Sequence, residues 1–250
     1  MLLLLIQNIK QGKKMKLTKL SLIAALAVST AFAGGDIAPV EPMVETPAPV
    51  LAEAPSVEIS ANLAVTSNYV WRGMTQTANS PAVQGGLDLG YKGFYLGTWG
   101  SNVEFGDTAN NLEADFYAGY AGDINGLGYD IGYIYYAYPN ESTALNFDEA
   151  YVGLSYDWTS FGVSGKYSFG LDSENDTSDY WEVGASATLP MDVTLAAGYG
   201  DWDDDIGSNY IVSLAKTFGK FEITLAYAEF DADVDAYDED HIIATISTSF

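Results

Sequence analysis

The 250-residue sequence has no cysteine, one histidine and little positive charge. The missing cysteine excludes a disulfide framework, a thiolate zinc site and a cysteine nucleophile. With His241 as the sole imidazole, a histidine-rich zinc site is excluded too. Ten Lys and Arg face 34 Asp and Glu, a formal net charge of −24. Five of those ten, Lys10, Lys13, Lys14, Lys16 and Lys19, lie before residue 34, where no acid occurs. Without that leader, 10 − 5 = 5 basic residues oppose 34 acidic ones, a net charge of −29. Nucleic acid is excluded as a partner, because a phosphate backbone needs a basic surface. The same balance argues against docking on an anionic membrane surface. No apolar run reaches the ~20 residues that a spanning helix requires.

What the sequence does contain is apolar and aromatic: 48% hydrophobic and 14% aromatic residues, with 25 Gly and 18 Tyr. Such a chain is not disordered as a whole. Residues 1–33 read as a secretory signal peptide starting at Met15. Lys16 and Lys19 form its basic region, Leu20 to Val28 its apolar core, and Ala31-Phe32-Ala33 its cleavage site. Residues 34–56 hold five of the eight prolines, interspersed with Glu41, Glu45 and Glu53, and read as an extended periplasmic linker.

From Val57 onward the chain alternates with period two, the signature of strands. Val57, Ile59, Ala61, Leu63, Val65, Tyr69 and Trp71 take one face, against Glu58, Ser60, Asn62, Thr66, Asn68 and Arg72. The same alternation predicts twelve strands, over 57–72, 82–91, 94–104, 111–121, 127–138, 148–157, 161–170, 179–189, 193–200, 208–218, 221–230 and 240–250. Short turns such as Lys92-Gly93 and Gly219-Lys220 follow the even strands. Longer polar loops, at 73–81, 105–110, 139–147, 171–178, 201–207 and 231–239, follow the odd ones. An even number of antiparallel strands with this asymmetry predicts an all-β fold, a transmembrane β-barrel over 57–250.

The two faces decide which side meets lipid. One carries Glu58, Asp88, Glu113, Asp115, Asp130, Glu149, Glu182 and Glu222, with Arg72 and Lys166 as the only cations. That many carboxylates cannot sit in a dry core, since each unpaired buried charge costs several kcal/mol. They are therefore expected to line a wet lumen, leaving the apolar face outward. Aromatic residues collect at both ends of that outward face. Tyr91, Phe94, Tyr120, Phe218, Phe221 and Phe250 stand at the short-turn end, and Tyr69, Trp71, Tyr135, Tyr167, Phe169 and Tyr199 near the loops. Two such girdles suit the two interfaces of a bilayer. A ten-residue strand tilted by ~40° is roughly 25 Å tall, the height of an outer-membrane hydrocarbon band. Phe250 as last residue fits recognition by the bacterial barrel-assembly machinery, although Thr248 departs from the usual hydrophobic residue two positions earlier.

The runs SANLAVTSNYVWRGMTQT (60–77), PAVQGGLDLGYKGFYLGTWGSNVEF (81–105) and EADFYAGY (113–120) resemble the TorF-type porin family, long catalogued as conserved proteobacterial proteins of unknown function. The likeness spans 57–250 and is sharpest at Tyr69 to Gly73 and at Gly97-Thr98-Trp99. It implies an outer-membrane barrel of Gram-negative bacteria with a porin-like role, and no particular substrate.

The chemistry expected of the chain is therefore passage rather than catalysis. A negative lumen concentrates cations and repels anions, and at a Debye length of ~8 Å salt does not erase the field. Small hydrophilic solutes or cations are the expected cargo, and no cofactor is implied. Arg72 and Lys166 either narrow the passage or cross-link the wall, and Tyr95, Trp99, Tyr117 and Tyr136 are candidates to plug it. A non-conducting structural or adhesive barrel is the alternative. An outer-membrane hydrolase built on His241 with Ser208 or Ser173 is a weaker one, because a rim histidine is ordinarily just solvated. The loop acids Asp201, Asp203, Asp205, Asp231, Asp233 and Asp235 are weak candidates for Ca²⁺ or Mg²⁺ bridging to lipopolysaccharide phosphates. They do not form an EF-hand, since Ala236 and Ile242 stand where its Gly and Glu belong.

Overall fold

A computed structural model describes residues 57–106, 111–139, 145–171, 178–203 and 206–250, apart from the side chain of Asp235. The leader and linker expected over 1–56 lie outside the described residues, as do Ser173 and Asp205. Twelve long antiparallel strands close into a barrel. They are β1 (Glu58–Thr66), β4 (Ala82–Tyr91), β5 (Phe94–Asn102), β6 (Leu112–Ile124), β7 (Leu127–Ala137), β8 (Phe147–Asp157), β9 (Phe161–Gly170), β10 (Tyr180–Leu189), β11 (Val193–Trp202), β12 (Gly207–Phe218), β13 (Phe221–Ala232) and β14 (Glu239–Ser249). Two further short strands, β2 (Val70–Trp71) and β3 (Met74–Thr75), form a separate hairpin between β1 and β4.

Closure runs through β1, which pairs with β4 along its whole length and with β14 from Asn62↔Ser249 to Thr66↔Thr245. Backbone bonds between Ala61 and Phe250 (2.9 and 3.2 Å) continue that seam to the last residue. Each of the twelve strands is thus paired on both edges around the ring, which is what a sheet in hydrocarbon requires. The tight turns have local causes. Lys92-Gly93 (φ 53° and 85°) and Asn125-Gly126 (φ 57° and 89°) place two successive residues in the left-handed region. Such turns match the right-handed twist of the strands they join.

The outer face is apolar and open: Ile59, Leu87, Leu96, Ile131, Leu214 and Leu225 are all exposed. At its short-turn end Tyr91, Phe94, Tyr120, Phe218, Phe221 and Phe250 are exposed, and at the loop end Phe169, Tyr199, Tyr210 and Tyr227. Outward carboxylates sit at the loop end, where tyrosine hydroxyls donate to them. Tyr133 bonds Asp148 (2.7 Å), Tyr199 bonds Asp201 (3.1 Å), and Tyr227 (2.6 Å) and Tyr210 share Glu229. Lys216 is outward near the short turns and donates to the carbonyl of Met191 (2.7 Å).

Eleven strands end within a few residues of their predicted positions; the first does not. Periodicity carries it to 72, but β1 stops at Thr66. There the Thr66 hydroxyl donates to the Asn68 carbonyl (2.9 Å) and the Ser67 amide to Ala244 (2.9 Å). The chain then bends into the barrel. Tyr69 and Trp71, assigned by alternation to the outer girdle, therefore lie inside, and Tyr69 is 0% exposed. Segment 73–81, expected as a polar surface loop, is the return limb of the same inward excursion. Alternation along a chain stops reporting its facing once a bend breaks the ladder.

Leu225→Arg, midway along the outward face of β13, is expected to destabilise the folded protein in lipid vesicles by about 2–4 kcal/mol, whereas Lys220→Ala in a turn should stay within ~0.5 kcal/mol. Denaturant titration of the two variants checks both values.

Candidate functional site

The site is the lumen together with the hairpin folded into it. Strands β2 and β3 pair Val70 with Thr75 and Trp71 with Met74, around a turn at Arg72 (φ 47°) and Gly73 (φ 85°). Gly73 is required there twice over. Its φ is left-handed, and a Cβ would come within 2.8 Å of Asn209 Cβ and 2.9 Å of Phe230 Cβ. The tip is thus wedged against β12 and β13.

Four residues, Tyr69, Trp71, Arg72 and Thr75, pin the hairpin to the wall. Arg72 forms a bidentate ion pair with Glu149 of β8, at 2.7 and 2.8 Å, with both side chains 2% exposed. Its guanidinium lies 4.3, 4.0 and 4.6 Å from the ring centroids of Trp71, Tyr180 and Trp202, a cage of three aromatic rings. Tyr69 donates to Glu113 of β6 (2.9 Å) and meets Trp99 of β5 edge-on (5.5 Å). The Thr75 amide donates to Glu239 of β14 (2.8 Å). Trp71 also packs against Tyr136 (5.8 Å) and Phe147 (5.9 Å). The hairpin therefore reaches from its root beside β1 and β4 to strands on the far wall.

Beneath it, the β4–β8 side of the lumen is filled by tyrosines. Tyr117 donates to Asp88, and Tyr95 donates to Asp130 (2.7 Å) and meets the Tyr151 hydroxyl. Gly119 and Gly132 make this possible. A Cβ on either would overlap the ring of Tyr95 or Tyr151 lying across it. Facing them, the β10–β13 wall presents small residues such as Ser186, Ala196, Ser213 and Thr224, also buried.

Nine of the ten sequence-predicted lumen residues fall on the inner face of the wall and the tenth, Arg72, on the hairpin inside it, but in different states. Arg72 and Glu149 pair with one another, and Lys166 pairs with Glu182 at 3.1 Å. Both predicted cations are thus tied to acids. Asp88 and Asp130 accept tyrosine hydroxyls, and Glu113 and Asp115 are fully buried side by side on β6. Glu58 and Glu222 stand toward the short-turn mouth, where Glu58 is exposed. Tyr95, Trp99, Tyr117 and Tyr136 are all inward.

His241 is not the solvated rim histidine expected. It is buried under the hairpin, with Nε2 2.9 Å from Glu239 and Nδ1 3.0 Å from Asn79 and 3.4 Å from Asn68. Glu239 Oε2 accepts from Thr75 as well, so the histidine belongs to the hairpin anchorage, with asparagines where a nucleophile would be needed. Of the loop acids, Asp201, Asp203, Asp231 and Asp233 line a rim crevice of about 420 Å³ with Trp202, Gly207 and Ser208. Among the described residues, no group of three or more His, Cys, Asp or Glu side chains is placed to hold a metal ion.

Sequence reasoning missed the partners that hold Arg72, namely Tyr180 and Trp202, and the seam acid Glu239. One signal for the hairpin was present: Arg72-Gly73 between two β-forming runs. Arginine at the first turn position hides it, because asparagine or aspartate is usual there.

A closed twelve-stranded barrel with an apolar exterior and a charged interior has the architecture of outer-membrane porins. The chain belongs to the Gcw_chp family, described as bacterial proteins of unknown function, whose family model matches residues 51–249. No curated protein matches it by sequence. Among solved structures, the KdgM porin superposes with a TM-score of 0.55 at 9% identity, covering 76% of this chain and 98% of that one. KdgM in complex with disordered oligogalacturonate gives 0.54 at 9% identity, covering 78% and 98%. The NanC porin gives 0.50 at 12% identity, covering 77% and 99%. At these identities the likeness is one of fold.

Glu149→Gln leaves a buried guanidinium unpaired and is expected to cost about 3–5 kcal/mol, whereas the double variant Arg72→Met, Glu149→Leu should recover most of that loss. Urea denaturation of wild type and the two variants in detergent micelles measures the difference.

Proposed function

We propose that the chain is an outer-membrane channel for passive diffusion of small hydrophilic solutes, cation-preferring, with both termini and the short turns on the periplasmic side and no enzymatic activity. The observation that carries the reading is the charge inventory of the inner face. Eight predicted carboxylates meet two cations, and both cations are held in ion pairs. A passage so lined raises the local cation concentration and repels anions. In this respect the chain differs in expected cargo from the porin seen with oligogalacturonate, a polymer carrying a carboxylate on each sugar. Lipid and lipopolysaccharide would contact the outer face, and Phe250 would engage the barrel-assembly machinery.

One observation favours a second reading, a non-conducting structural barrel. The hairpin spans the lumen and is pinned by buried contacts. Planar-bilayer recording on the full folded chain under a KCl gradient separates the two. The channel reading expects small discrete steps with a reversal potential of cation sign, and larger steps from Arg72→Ala, which unpins the hairpin. Anion preference, or no steps from either protein, overturns it.

A further inference from the structure

The Arg72–Glu149 and Lys166–Glu182 pairs leave six of the eight predicted lumen carboxylates without an ion-pair partner, and two of the six, Glu113 and Asp115, are buried side by side. Glu113 and Asp115 are two residues apart on β6 and so share its inward face, with Cα atoms roughly 7 Å apart. Asp115 is 0% exposed, and neither of its carboxylate oxygens has a hydrogen-bond partner. Glu113 is 2% exposed; Oε1 accepts from Tyr69 and the Tyr138 hydroxyl also lies against the carboxylate, while Oε2 has no hydrogen-bond partner. The register sets neutral polar groups beside them. Ser101 is the cross-strand neighbour of Glu113, and Gln84 that of Ser101. Gln84 is itself buried, and its amide nitrogen has no hydrogen-bond partner. Trp99 and Tyr136 flank Asp115 on the neighbouring strands and shut out water.

Two adjacent carboxylates in such a place repel one another, and each carries the desolvation cost of an unpaired ion. Three carboxylate oxygens without hydrogen-bond partners, beside the Tyr69 hydroxyl, make a hard, oxygen-only set of double negative charge. That set suits a hard divalent cation of the calcium class, which accepts irregular oxygen coordination. We propose that Glu113 and Asp115 hold a resident divalent cation in the barrel wall. Through Glu113 the ion also fixes Tyr69, and with it the root of the lumen hairpin. The inference does not depend on whether the barrel conducts.

The test uses the full chain folded in detergent micelles, stripped with EDTA and titrated with Tb³⁺. Trp99, the cross-strand neighbour of Asp115, serves as sensitiser. The expected result is a saturable luminescence component, displaced by Ca²⁺, lost in Asp115→Asn and kept in the loop control Asp231→Asn/Asp233→Asn. EDTA should lower the urea midpoint of wild type and leave that of Asp115→Asn unchanged. Heat-modifiable gel mobility verifies that each variant is folded. Should Asp115→Asn fail to fold, Glu113→Gln takes its place, and elemental analysis of unstripped wild type reads the bound metal directly. Luminescence equal in wild type and Asp115→Asn, an EDTA-insensitive wild type, or wild type purified without divalent metal overturns the proposal. Each of those outcomes would assign the pair to carboxyls neutralised by protons.

Discussion

The interior of this barrel is organised around one buried ion pair. Arg72 has left the wall, crossed toward β8 and closed a bidentate contact with Glu149, under a roof of Trp71, Tyr180 and Trp202. Coulomb attraction in a poorly solvated lumen is strong, but so is the cost of removing both ions from water. The aromatic cage and the two parallel hydrogen bonds offset that cost and set the angle at which the hairpin lies. The wedge at Gly73, the edge contact of Tyr69 with Trp99 and the Thr75–Glu239 bond all follow from that angle.

A second constraint shapes the rest. Lipid tolerates no unpaired backbone and few charges, so the wall must be a closed ladder with an apolar exterior, and polar side chains have only the lumen and the rims left to them. Inside, carboxylates are held by tyrosine hydroxyls at Asp88 and Asp130. Outside, at the loop rim, the same chemistry recurs at Asp148, Asp201 and Glu229. A chain with 18 tyrosines and only five basic residues after position 33 uses phenols where others use arginine and lysine.

The barrel was legible in the sequence because its cause is periodic. Leu225 and Leu214, neighbours on adjacent strands, are readable as outward from alternation alone. So are the inward acids, from Asp88 to Glu222. What was not legible arises from contacts between residues far apart in the chain. Nothing local to Tyr69 or Trp71 says that the strand ends at Thr66, since the apolar alternation resumes there after the single polar position Ser67. His241 looks like a loop-end histidine until residues 68–79 are laid over it. The pairing of Glu113 and Asp115 was visible as spacing, but that neither Asp115 oxygen meets a donor is a property of the packed lumen.

The hairpin springs from the first strand of the barrel, yet it is tied to the last. Glu239 and His241 of β14 grip Thr75, Asn68 and Asn79 from inside, while β1 and β14 meet edge to edge in the wall. The inward excursion is thus a rivet across the seam where the cylinder is joined. Its anchors on β8, β10 and β14 stand together as a set only in the complete ring. The Thr75–Glu239 bond, not the Arg72–Glu149 pair, is therefore the contact that joins the two ends of the cylinder through its interior.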